Sequence, residues 1–179
     1  LICFMKALSM PDGVWFHVVL TFHGNWLPGD PRGFRTRKHR DHIEGDYKNP
    51  PEPGTYDALF QLSKENLNQE PVLLAMEQRI LLGKAMLQRF EELGGLVEAV
   101  AIAGSHVHLL AKYPMDCYRV WTGLVKKHAW FVLKAQGHTA KLWGKRGKEL
   151  QIRNQSHFEN ARRYIADHEK EGAWVWVRS

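Results

Sequence analysis

Residues 96–114 read LVEAVAIAGSHVHLLAKYP. Two apolar runs, Leu96–Ala103 and Val107–Tyr113, flank Gly104-Ser105, so the stretch predicts a β-hairpin with a tight turn. The second strand opens with two imidazoles, His106 and His108, around Val107. Residues two apart on a strand point to the same face. The hairpin therefore sends both histidines one way and Val107 the other. A strand that otherwise reads as buried must find partners for those rings, because an unsatisfied buried polar group is costly.

The flanking segments set the frame for this hairpin. Trp15–Phe22 (WFHVVLTF) is β-branched and aromatic and predicts a strand. His23–Gly33 (HGNWLPGDPRG) is dense in turn formers and predicts a loop. Pro71–Leu93 has helical spacing of apolar residues, with Pro71 suited to a first turn and Gly94-Gly95 to a stop. Residues 117–136 predict a second helix, closed near Gly137. Lys141–Arg153, with Trp143, Leu150 and Ile152, predicts another strand. Ser156 to Glu159 has the S-x-x-E form of a capping box, so a helix is expected from there to about Gly172. The tail AWVWVR alternates and reads as a short final strand.

This order predicts an α+β fold with a ferredoxin-like, split βαβ core. An antiparallel sheet would carry helices on one face, and an appended C-terminal helix would follow. Residues 1–14 are expected to be a lead without fixed structure, and 15–179 a single domain. A basic insertion at about 24–70, richest in RTRKHRDH, is expected to be a long mobile loop.

Composition narrows the classes. Of 179 residues, 44% are hydrophobic and 11% aromatic, as a packed domain requires, and the net charge is +6. That balance favours an anionic partner, nucleic acid being the commonest. Two cysteines, Cys3 and Cys117, stand far apart in no metal-binding spacing, which argues for a reducing compartment and against a disulfide framework. No apolar run approaches the roughly 20 residues that cross a bilayer. The opening LICFMKALSM lacks the layout of a signal peptide.

Two neutral imidazoles on one strand face suit a divalent cation such as zinc, copper, iron, nickel or manganese better than bare magnesium. Alone, an H-x-H tripeptide arises easily by chance and reads as a pair of hydrogen-bonded histidines. The last helix adds a second feature. In ENARRYIADHEKEG, Tyr164 and His168 are i and i+4 and share one helical face. There a phenol and an imidazole have a common target, with His168 as a third ligand. The alternative is a tyrosine packed into the core with His168 at its rim. His17 and His23, on or beside the first strand, receive no metal role.

Together, WFHVVLTFHGNWLPGDPRG, the apolar-flanked SHVHLL, LWGKRG and RRYIADHEKEGAW resemble the single-tyrosine HUH transposases, in their REP-associated tyrosine transposase branch. The resemblance runs from about Trp15 to Trp176. It implies a divalent metal, Mg2+ or Mn2+, held by His106 and His108, and a nucleophile at Tyr164. His168 falls where the family commonly places an amide ligand. The implied reaction is cleavage and rejoining of single-stranded DNA bearing hairpins or palindromic repeats, through a 5′-phosphotyrosine and a free 3′-hydroxyl. The implied setting is cytoplasmic, on nucleoid DNA, as monomer or homodimer. Candidate phosphate contacts are Arg35, Arg37, Lys38 and Arg40 in the insertion, Lys126 and Lys127, Lys145 and Arg146, and Arg162 and Arg163 beside the tyrosine. Trp26, Trp121 and Trp143 are candidate base-stacking rings. Two alternatives stay open: a DNA-hairpin binder with a decayed site, and a metal-dependent phosphodiesterase that uses water.

Overall fold

Strand pairing is organised around the hairpin. In the computed structural model, β4 (Leu96–Ile102) and β5 (His106–Tyr113) meet at Gly104-Ser105, where the Ala103 N–H donates to the His106 carbonyl at 2.9 Å. The structure describes residues 13–31, 34–35, 42–43, 52–114 and 117–179, with backbone alone at 34–35, 42–43, 145 and 146. β1 (Val14–Phe22) pairs with β5, β6 (Trp143–Gln151) with the far side of β1, and β7 (Trp174–Val177) with β4. The resulting order is β6-β1-β5-β4-β7, with each neighbouring pair antiparallel. The first four strands are the expected split βαβ sheet; β7 extends it to five.

Alternation along β1 and β5 decides the layers. Phe16, Val18, Leu20 and Phe22 point with Val107, Leu109, Ala111 and Tyr113 into the main core, against α2 (Met76–Glu92) and α3 (Tyr118–Ala135). Full burial of such side chains is worth about 1.5–3 kcal/mol each, so this face holds most of the stability. The opposite face carries a thinner layer. Ala99 and Ala101 of β4 and Leu110 of β5 meet Ala161 and Ile165 of α4 (Gln155–Asp167), together with Ala173. Small side chains at this contact let helix and sheet approach closely.

The end of α4 is held in place from several sides. A 3-10 turn, His168–Glu171, follows the helix, and Gly172 adopts φ +78°, a left-handed exit that glycine takes without strain. Arg79 of α2 grips this exit, donating to the Gly172 carbonyl at 2.8 Å and to the Leu74 carbonyl at 2.7 Å. Trp174 lies against Gly83 of α2, where any Cβ would sit 1.8 Å from the indole. Arg162 of α4 pairs with Glu98 of β4 at 2.7 Å and donates to the Arg178 carbonyl.

Several expectations require correction. β1 begins at Val14, inside the supposed lead. Pro71 does not open the helix: residues 71–75 alternate between exposed and buried, the N–H groups of Val72 and Leu74 bond to the His23 and Gly104 carbonyls, and α2 starts at Met76. The extended form buries Val72 and Leu74, and that packing outweighs the helical pattern. The 24–70 insertion is not structureless: it contains α1 (Asp57–Glu65) and a short antiparallel pair, β2 (Phe34–Arg35) with β3 (His42–Ile43). The cap of α4 is Asn154, whose Oδ1 accepts from the His157 N–H at 2.8 Å; Ser156 already lies within the helix. No helix among the described residues is long and apolar enough to cross a membrane.

Candidate active site

The face of the sheet under α4 is where the hairpin histidines emerge. Register places Lys148, Val19, His108, Ala101 and Val175 in one row across β6, β1, β5, β4 and β7. Paired residues share a face, so His108 rises between two small neighbours, with His106 beside Thr21 in the next row. α4 crosses above. Ala161 and Ile165 anchor it to the sheet, and His168 follows on the same inward side at i+7 from Ala161. Tyr164 stands beside that buried stripe.

One ligand nitrogen from each of His106, His108 and His168 lies within 4.8 Å of the others. His108 and His168 are buried, while His106 is half-buried. Each imidazole has its Nδ1 engaged. The His106 Nδ1 hydrogen-bonds Ser105 Oγ at 3.0 Å, and the His108 Nδ1 hydrogen-bonds the Nε2 of His17 at 3.0 Å. The His168 Nδ1 donates to the Tyr164 carbonyl at 2.8 Å. This arrangement leaves ligation to Nε2 in all three rings. Three imidazoles with supported Nδ1 groups fit one divalent ion, and the donor set suits a borderline transition metal better than magnesium.

Burial dominates the electrostatics here. It pushes His17 down to about 4, with smaller contributions from His157, His168 and Lys148. It lowers His108 further, helped by His106, His17 and His168. Both rings are therefore neutral near pH 7, as ligation by His108 requires. Tyr164 shifts the other way: partial burial, and then the charge of Glu171, raise its phenol above the ordinary value.

The Tyr164 ring joins the cluster edge-on. Its centroid is 4.7 Å from that of His168, 5.3 Å from His108 and 6.0 Å from His17. It is nevertheless 51% exposed, so a large substrate has access to it. A cavity of about 600 Å³ between the His23–Asp30 loop and α1 contains none of these groups.

The proposed DNA contacts are placed less uniformly. Arg37, Lys38 and Arg40 lie outside the described residues, and the side chains of Arg35, Lys145 and Arg146 do too. Arg162 is committed to Glu98, and Arg163 donates to Asn160. Lys126 lies over the Trp143 ring and Lys127 over Phe131, both on α3 and away from the histidine face. Two stacking candidates are corrected. Trp121 is 2% exposed in the core, and Trp143 packs against that core with its indole N–H on the Lys126 carbonyl. Trp26 stays 40% exposed. Sequence reading missed Ser105 and His17 as hydrogen-bond partners of the His106 and His108 rings, and it left Lys148 without its place on the histidine face.

Comparison with known structures agrees with this architecture. A solved REP-associated tyrosine transposase, bound to a REP hairpin, superposes with a TM-score of 0.51 and 15% identity, over 89% of this chain and 68% of that one. At that identity the likeness defines a shared α+β fold with an antiparallel sheet. No family model matches the sequence, and no curated protein does either.

Proposed function

We propose that this protein is a tyrosine-dependent single-stranded DNA endonuclease and ligase of the HUH transposase type. The observation that carries the reading is the meeting of Tyr164 with a three-imidazole cluster: an accessible phenol packed edge-on against His108 and His168. A packed structural tyrosine would not need a ligand set as its neighbour. The shared fold with a hairpin-bound transposase supports the same reading.

His106, His108 and His168 would hold the ion through Nε2. When bound, a divalent cation supplies Lewis-acid polarisation of a phosphate oxygen and offsets charge in the transition state. Tyr164 supplies the nucleophile. Its phenol oxygen forms a bond to phosphorus, the bond from phosphorus to the 3′ oxygen breaks, and the proton lost by the phenol is balanced by protonation of the departing 3′ oxygen. The phosphotyrosine conserves the ester, so the free 3′-hydroxyl of the same or another strand can reverse the step without ATP. Because its environment raises the phenol above the ordinary value, attack depends on proton removal within the assembled site. Lys148 gives this face a cationic group within the row of His108. The remaining basic candidates, among them Arg35, Arg37, Lys38, Arg40, Lys126, Lys127, Lys145, Arg146 and Arg163, would add salt-sensitive backbone affinity.

The test is incubation of the protein with single-stranded hairpin DNA and Mn2+, followed by denaturing electrophoresis. A protein–DNA adduct that disappears in Tyr164→Phe is expected. Cleavage without an adduct, unaffected by that substitution, would instead support a water-using phosphodiesterase. A three-histidine ligand set also suits that chemistry.

A further inference from the structure

His17 lies in the middle of β1, 91 residues from His108 in sequence, and only 7% exposed. It cannot serve the same ion as a fourth ligand through Nε2, because that nitrogen faces the Nδ1 of His108 at 3.0 Å. The neighbouring rings clarify its task. His106 and His168 each have Nδ1 tied to an oxygen from their own segment, Ser105 Oγ and the Tyr164 carbonyl. For His108, the partner of Nδ1 is a side chain from another strand.

A neutral imidazole that offers the Nε2 lone pair to a metal carries its proton on Nδ1. That proton needs an acceptor, and a buried donor without one is costly. The structure assigns His17 as the positioning residue of the metal site: its Nε2 accepts from His108 Nδ1–H, which fixes the tautomer and ring orientation that present His108 Nε2 to the ion. The proton of neutral His17 then resides on its own Nδ1. Packing supports the assignment. Val19 and Ala101 flank His108 on the same face without offering a side-chain acceptor, and the register of β1 on β5 brings His17 into reach from two residues along. Outer-shell partners of this kind commonly change metal affinity 10–100-fold when removed. The inference rests on the reading of His106, His108 and His168 as metal ligands.

The test is Mn2+ binding to the 179-residue chain without DNA, measured by the free-ion signal in electron paramagnetic resonance. His17→Phe keeps a ring of similar size but accepts nothing; its Mn2+ dissociation constant is expected to rise about 10–100-fold. His17→Gln restores an acceptor and should recover most of that loss. In Zn2+-loaded wild-type protein, nitrogen-15 spectra should show His108 with its proton on Nδ1. Wild-type affinity in folded His17→Phe would overturn the assignment. So would equal losses in the Phe and Gln variants, or a zinc-loaded His108 with its proton on Nε2. His106→Ala separates the two levels of the argument. If it too leaves Mn2+ binding intact, the ligand set itself is wrong; if it alone abolishes binding, only the role of His17 fails.

Discussion

The two faces of one sheet, built from the same strands, do different work. On β1 and β5, residues of one parity form the wall of the main core, and residues of the other parity supply His17, Thr21, His106 and His108. The core face is covered by two long helices with large apolar side chains. The histidine face is covered by one 13-residue helix seated mainly on alanines. The main core and the candidate site are thus separated by a single-residue alternation, and slipping the register of β5 by one would exchange them. The thin layer above the histidines also explains how Tyr164 approaches buried rings while half of it stays open to a large substrate.

Substitutions on the two faces should therefore have opposite signatures. On the histidine face, His106→Ala is expected to weaken Mn2+ binding by about 100-fold or more, since it removes a proposed ligand rather than the support of one. Thermal unfolding of the metal-free protein should hardly change, as His106 is only half-buried. On the core face, Leu109→Ala, three residues along the same strand, is expected to cost about 2–5 kcal/mol in denaturant unfolding. The fraction that remains folded should bind Mn2+ normally. Loss of metal binding by folded Leu109→Ala would break the separation.

Acid should act on the chemical face without touching the core. His17 is held at about 4 in the folded protein against an ordinary value near 6.5. The unfolded chain therefore takes up more protons below pH 6.5, and stability falls as pH drops toward 4. His108 adds to the same slope. Unfolding midpoints of the metal-free protein measured between pH 7 and 4 should decline over that window, and His17→Gln should flatten part of the decline. The smallest expected effect is at the helix that carries Tyr164. Asn154→Ala removes the side-chain cap of α4 and should cost about 1 kcal/mol, read in urea unfolding.

How much of this was legible in the sequence depended on range. The hairpin follows from local turn chemistry, and its strands appear within a residue or so of where Gly104-Ser105 places them. The shared face of Tyr164 and His168 follows from helical spacing. Their meeting with His106 and His108 was readable only through the family resemblance, because the strand–helix order brings them together and no local pattern does. The bond between His17 and His108 depends on cross-strand register, which single-residue pattern does not specify. α1 escaped notice because none of its residues is buried, so the segment reads as a polar loop. Pro71 misled because a good first-turn residue also suits the extended strap that buries Val72 and Leu74. The S-x-x-E signal at Ser156 lost to Asn154, two residues earlier, which accepts from the first turn.

The central claim is that the phenol of Tyr164 and the three imidazoles form one reaction centre. Mass mapping of protein digested after reaction with hairpin DNA and Mn2+ tests it most directly. The account expects a nucleotide joined through its 5′ phosphate to the peptide that contains Tyr164, and no such peptide in His106→Ala. A nucleotide attached to a different residue, or cleaved DNA with every tyrosine unmodified, would contradict it.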